Sequence, residues 1–139
     1  MANSAHTLTS RVEVEISKGT DRCRIEKVTT SWTADDSDGS IPTLSIPLNG
    51  WLIKTVTNPG STAPTDNYDI TLTDPEDSAL DAAVSTIINR DTANTEQVYN
   101  VASGAVTPIL LAGTYGVAIA GNSVNSATGK IIFYLADEL

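Results

Sequence analysis

The sequence predicts an all-β domain, an antiparallel β-sandwich or jelly-roll-like fold with at most one short helix. Three observations carry this. Aromatic residues make up 5% of the chain and methionine occurs once, so the core must be built from Val, Ile, Leu, Ala and Thr, and β-branched side chains pack best on a pleated surface. Apolar residues recur at every second position in several runs, the period of a strand with one buried face. Between the runs stand Gly, Pro, Asn and Asp, the residues that turns require. At 139 residues the chain reads as one domain, 1–139, able to bury about two thirds of its unfolded surface without disulfides or metals.

Residues 8–18 alternate, with Leu8, Val12, Val14 and Ile16 on the side expected to be buried and Arg11, Glu13 and Glu15 on the side expected to face water. Gly19 turns the chain, and residues 21–34 follow as a strand with Cys23, Ile25 and Val28 inward before Trp32. The two predict a hairpin with Arg22 and Arg24 opposite Glu13 and Glu15, where each exposed cross-strand pair contributes only ~0.2–1 kcal/mol. Residues 1–7 lack core periodicity and read as a flexible arm.

The acidic loop Asp35-Asp-Ser-Asp-Gly-Ser40 invites a calcium reading. Aligned on Asp36, Asp38 and Gly39, its first position is Ala34 and its twelfth is Ser45, so two ligands of the EF-type loop are missing and a solvated turn is the reading. Residues 41–48 carry Ile41, Leu44, Ile46 and Leu48 between Pro42 and Pro47. Prolines cannot donate to a ladder, so the segment reads as an edge strand or extended connector, able to lie on a neighbouring subunit.

Residues 51–57 and 66–74 are two runs joined by Asn58-Pro-Gly-Ser-Thr-Ala-Pro-Thr65, which reads as a hairpin-like core unit. In the second run Tyr68, Ile70 and Leu72 share the buried side, and Trp51 is expected in the core. Asp74 as N-cap, Pro75 at the first helical position and acids in the first turn then predict one amphipathic helix over 75–84. Strand candidates follow at 96–101, 105–111, 115–120 and 130–135, at the spacing of a sandwich. The small residues of 112–120 imply close approach of another backbone.

The net charge is −9, from 17 acids against 8 bases. A phosphate-binding groove needs clustered Lys and Arg, so a nucleic-acid partner is not expected. The charge is uneven: Arg11, Lys18, Arg22, Arg24 and Lys27 outnumber Glu13, Glu15, Asp21 and Glu26 by one in residues 1–30, which leaves −10 for the remainder. A neutral or basic front on an acidic body suits docking on an acidic neighbour. Cys23 is the sole cysteine and reads as a buried strand residue, with no disulfide framework or thiolate site. The start of the chain lacks a secretory pattern and no apolar run approaches a membrane span, so synthesis and folding in a cytoplasm are expected, with no membrane partner.

The sequence offers little chemistry. His6 is the only histidine, and there is no nucleophile elbow, phosphate loop or Cys-x-x-Cys, so nucleophilic and zinc mechanisms lack their usual parts. Asp66, Asp69, Asp74, Glu76 and Asp77 supply carboxylates for a paired-carboxylate glycosidase. A sugar cleft, however, uses more aromatic side chains than Trp32, Trp51 and four tyrosines provide. The protein is therefore expected to be no enzyme and to need no cofactor.

The block from Asn58 to Asp74, followed by Asn89-Arg-Asp-Thr-Ala-Asn-Thr-Glu-Gln97 and Gly129-Lys-Ile-Ile-Phe-Tyr-Leu135, resembles small structural, head-associated virion proteins of tailed bacteriophages. The resemblance covers roughly residues 50–135 and rests on strand and turn patterns. It implies a capsid cement or decoration protein, made in the host cytoplasm and placed on the capsid surface, with the major capsid protein or other virion subunits as partners; self-association as a trimer is expected from the threefold sites that shells present. Tail, neck or head-fibre components, or a carbohydrate-binding sandwich using Trp32 or Trp51, are the alternatives. Sheet edges and extended arms would supply the contacts by strand addition, so the candidate interface is Leu8, Arg11, Arg22, Arg24, Ile41, Leu44, Ile46 and Leu48.

Overall fold

In the computed structural model, which describes residues 4–19, 21–74, 90, 94–99, 101–102 and 105–138, β1 (Ala5–Lys18) and β2 (Asp21–Thr33) form a long antiparallel hairpin. Gly19, at φ 65°, takes the left-handed conformation of the turn. β3 (Leu44–Pro59), β4 (Asp69–Thr73), β5 (Glu96–Tyr99), β8 (Ile109–Ala120) and β9 (Thr128–Ala136) complete an antiparallel sheet in the order β1-β2-β9-β3-β8-β4, with β5 also on β3; β6 (Val101–Ala102) and β7 (Ala105–Val106) form a separate ribbon. The domain is all-β, and the helix expected over 75–84 lies outside the described residues.

β3 holds the sheet together because it has different partners along its length. Its residues 44–52 pair with β8, its residues 51–59 pair with β9, and its residues 54–57 also pair with β5. The change of partner occurs beside Gly50, whose φ is +129° and whose Cα faces the Ala136 carbonyl so closely that a β-carbon would sit 2.8 Å from the oxygen. Only glycine fits both constraints. The expected pairing of residues 51–57 with 66–74 is absent: β4 pairs with β8 and not with β3. Local proximity suggested a hairpin, but β8 lies between β3 and β4 in the sheet.

The sheet curls enough for residues distant in its order to share one core. β2 and β4 are separated by three strands in the sheet order, yet Trp32 of β2 and Tyr68, just before β4, pack with ring centroids 6.0 Å apart and planes tilted by 56°. Val28 and Trp32 from β2, Leu52 from β3, and Ile131, Phe133 and Leu135 from β9 are buried with Ile46, Leu48, Ile70, Leu72, Leu111, Tyr115 and Val117 in one core. Each fully buried side chain of this kind stabilises by about 1.5–3 kcal/mol relative to exposure. The inward alternation expected for Tyr68, Ile70 and Leu72 is observed. Trp32 is the core tryptophan, at 1% exposure, whereas Trp51, expected there, is half-buried.

Two further expectations are corrected. Residues 5–7 belong to β1 rather than to a flexible arm, and His6 is buried. Its Nδ1–H donates to the Pro42 carbonyl at 3.1 Å and its Nε2 lies 3.3 Å from Thr30 Oγ1, which ties the start of β1 to the approach to β3. Residues 44–48 form part of β3, where Ile46 and Leu48, at 3% and 0% exposure, are core residues rather than interface. Their strand turns those side chains to the buried face of the sheet, the face that also carries Tyr115, which stands opposite Ile46 in β8.

Candidate functional site

The surface with functional character is built by one irregularity in β1. Leu8 stands opposite Thr30, but Ser10 stands opposite Thr29, so Thr9 is an extra residue in the strand. Side chains alternate with period 2, and one inserted residue sends everything after it to the opposite face. Before the bulge, His6 faces the core with Trp32. After it, Arg11 stands opposite Val28 and Glu13 opposite Glu26 on the core side, while Val12, Val14 and Ile16 stand opposite Lys27, Ile25 and Cys23 on the outer side. The apolar row expected to be buried is therefore exposed: Val12 by 50%, Val14 by 44%, Ile16 by 43%, with Leu8 at the bulge exposed by 41%.

Register carries this outer face across the sheet. One row runs from Val12 through Lys27, Tyr134 and Lys54 to Tyr99, and the next from Val14 through Ile25, Ala136 and Trp51 to Leu110. A third runs from Ser10 through Thr29, Ile132 and Val56 to Gln97, and beyond it Ser31, Lys130 and Asn58 lie abreast. Val14, Ile16, Ile25, Ile53 and Tyr134, with the Lys27 and Lys54 stems, line a shallow groove on this surface. The two ammonium groups lie 5.4 and 4.6 Å from the Tyr134 ring centroid, within reach of cation–π attraction. Lys54 Nζ also donates to Gln97 Oε1 at 2.8 Å. No carboxylate stands on these described rows.

The opposite side of the hairpin is charged and internally neutralised. Arg11 pairs with Glu26 at 3.0 Å, Arg22 with Glu15 at 2.8 Å and Arg24 with Glu13 at 4.0 Å. The expected arginine–glutamate pairing is present, displaced by one pair: Arg24 is directly opposite Glu15, and the ion pairs run diagonally. Arg11 also donates to the Pro47 carbonyl. Arg11, Glu13, Arg24 and Glu26 face Pro47, Asn49 and Asp137 across a cleft. The Arg24 backbone N–H donates to Asp137 Oδ1 at 2.9 Å, and this bond, foremost, holds the Asp137 carboxyl below its ordinary value.

The structure thus divides the candidate interface of the sequence reading. Arg11 and Arg24 meet in the charged cleft, Arg22 lies at the hairpin tip with Glu15, and Leu8 marks the bulge. Ile41 and Leu44 pack partly buried against the core margin, and Ile46 and Leu48 lie inside it. Val12, Val14, Ile16 and Ile25, expected to face the core, lie instead on the outer face with Lys27, Lys54 and Tyr134, to which the sequence assigns no role. Cys23 is buried, as expected, with its thiol toward the Glu138 carbonyl at 3.4 Å. In the acidic loop, Asp35 accepts from the Ser37 hydroxyl and backbone N–H, and these bonds hold its carboxyl below the usual range.

No protein-family model matches the chain, and neither a curated protein nor a solved structure matches it at a significant level.

Proposed function

We propose that the protein is a non-enzymatic structural protein of a bacteriophage virion, a capsid cement or decoration protein that attaches to head subunits and stabilises the shell. The observation that supports this reading most is the outer face of β1, β2, β9 and β3, where Val12, Val14 and Ile16 are left uncovered by the protein's own fold. Contiguous exposed apolar surface beyond a few hundred Å² marks an interaction site on a soluble domain. A strand that exposes three β-branched apolar side chains in alternation is poised to be covered by another subunit. The outer edge of β1, 14 residues long and without a partner strand among the described residues, adds backbone groups for strand addition, and self-association as a trimer would multiply weak contacts at threefold sites.

The test is cosedimentation of the purified protein with phage heads that lack it, followed by heat challenge of the heads. Binding with a gain in heat resistance is the expected result. A protein that neither binds heads nor occurs in virions, but whose tryptophan fluorescence shifts with a family of sugars, contradicts this reading and favours a carbohydrate-binding module.

A further inference from the structure

We infer that the outer face docks an acidic, apolar segment of a partner protein, with Lys27, Lys54 and Lys130 receiving its carboxylates; this rests on the reading of that face as a docking surface. The chain carries −9, yet the rows of this face that start at Ser10, Val12 and Val14, and the one through Lys130, hold lysines and no carboxylate, and the register puts Asp21 opposite Lys18 only at the far end of the hairpin. The arginines are spent differently: Arg11, Arg22, Arg24 and Arg90 all pair with glutamates. Lys27 and Lys54 are instead held beside one Tyr134 ring next to the apolar groove, two like charges placed together with no carboxylate at salt-bridge distance among the described residues. Their mutual repulsion is relieved when an anion arrives, so the face selects by charge as well as by apolar contact.

Charge also discriminates among occupants. A second copy laid face to face would bring lysines against lysines across the interface, an arrangement that like-charge repulsion disfavours. A nucleic acid would meet lysines and aromatic rings, but the negative charge of the remaining chain opposes the phosphate backbone. The β-branched floor of Val14, Ile16 and Ile25 fits aliphatic side chains better than bases. An extended segment that alternates acidic and aliphatic residues fits the groove and its lysines together.

The experiment is selection of a displayed library of random 12-residue peptides on the immobilised full chain, with enriched peptides resynthesised and their affinities measured. Enrichment of Asp and Glu beside Leu, Ile or Val is expected. Affinity should fall at least about tenfold in Lys27→Glu/Lys54→Glu, and in Val14→Asp, with circular dichroism confirming the fold of each variant. Lys27→Gln/Lys54→Gln should give an intermediate loss. Failure to enrich peptides, enrichment without acidic residues, or affinities unchanged in the lysine variants overturns the inference. So does tight binding of a single-stranded oligonucleotide that competes with the peptides, or self-association abolished by Val14→Asp. Acid-biased peptide binding in a chain that never attaches to heads supports the inference while removing the shell reading. Attachment to heads that is indifferent to both lysine variants overturns the inference and leaves the shell reading intact.

Discussion

Trp32 in β2 and Gly129 in β9 stand directly opposite each other, and the indole covers the glycine so closely that a β-carbon there would lie 2.6 Å from Cε2 and 2.9 Å from Nε1. The ring fills the space a side chain at 129 would occupy and continues inward to Tyr68. The space left by Gly129 thus lets the indole reach from β2 to the residue that precedes β4, a strand separated from β2 by three others in the sheet. Gly129→Ala is expected to destabilise by about 1–3 kcal/mol through overpacking, and Trp32→Ala by about 3–5 kcal/mol. In a double-mutant cycle by denaturant unfolding, the alanine at 129 should be much better tolerated once Trp32 is removed; full additivity would contradict the packing described.

Trp51→Ala is expected to destabilise far less than Trp32→Ala. Its side chain is half-buried on the outer row with Ala136 and Leu110. Equal losses of stability in the two variants, compared by urea unfolding, would place Trp51 in the core.

Gly50→Ala should destabilise by more than ~1 kcal/mol, since φ is positive and the Ala136 carbonyl occupies the β-carbon position. Gly113→Ala offers the comparison: its φ of +133° is also strained, but nothing lies within 4 Å of the added carbon. The difference in unfolding midpoint between the two variants reports the carbonyl contact alone, and a larger loss at Gly113 would be inconsistent with the close approach at Gly50.

Stability should depend on pH in two separate windows. Burial holds the His6 pKa below its ordinary 6.5, against the opposing pull of the hydrogen bond to Pro42. The unfolded chain therefore takes up the proton first on acidification, so this stabilisation is complete above 6.5 and is lost as pH falls from there toward the lowered folded value. Asp35, through its Ser37 bonds, and Asp137, through the Arg24 N–H, have carboxyls held below 3.8; their contribution is present above 3.8 and is lost below it. Urea midpoints should decline first in the histidine window, and His6→Gln should flatten that window while leaving the acid one. A midpoint that rises between about pH 6.5 and 5 would contradict the burial of His6.

Much of the fold was legible because period-2 alternation and turn residues are local properties. The β1–β2 hairpin, the inward Tyr68, Ile70 and Leu72, and the buried Cys23 all follow from residues close in sequence. What was not legible depended on distant partners. The pairing of β3 with β8 and β9 joins segments more than 50 residues apart, and nothing in residues 51–74 distinguishes that from a hairpin. The outer face was hidden for a different reason. Alternation in β1 separates Val12, Val14 and Ile16 from Arg11, Glu13 and Glu15 without saying which set faces the core, and the deciding insertion is Thr9, a residue common in regular strands. Likewise Pro47 signalled an edge, while Ile46 and Leu48 beside it point into the core.

Val14→Asp/Ile16→Asp tests the central claim most directly, because the two positions lie on the outer face and should tolerate charge within about 0.5 kcal/mol of wild-type stability. The measurement is cosedimentation with phage heads that lack the protein, wild type beside variant at equal concentration. The account expects wild type in the pellet and the folded variant in the supernatant. A variant that unfolds, or one that sediments with heads as wild type does, would show that this face is not the surface through which the protein acts.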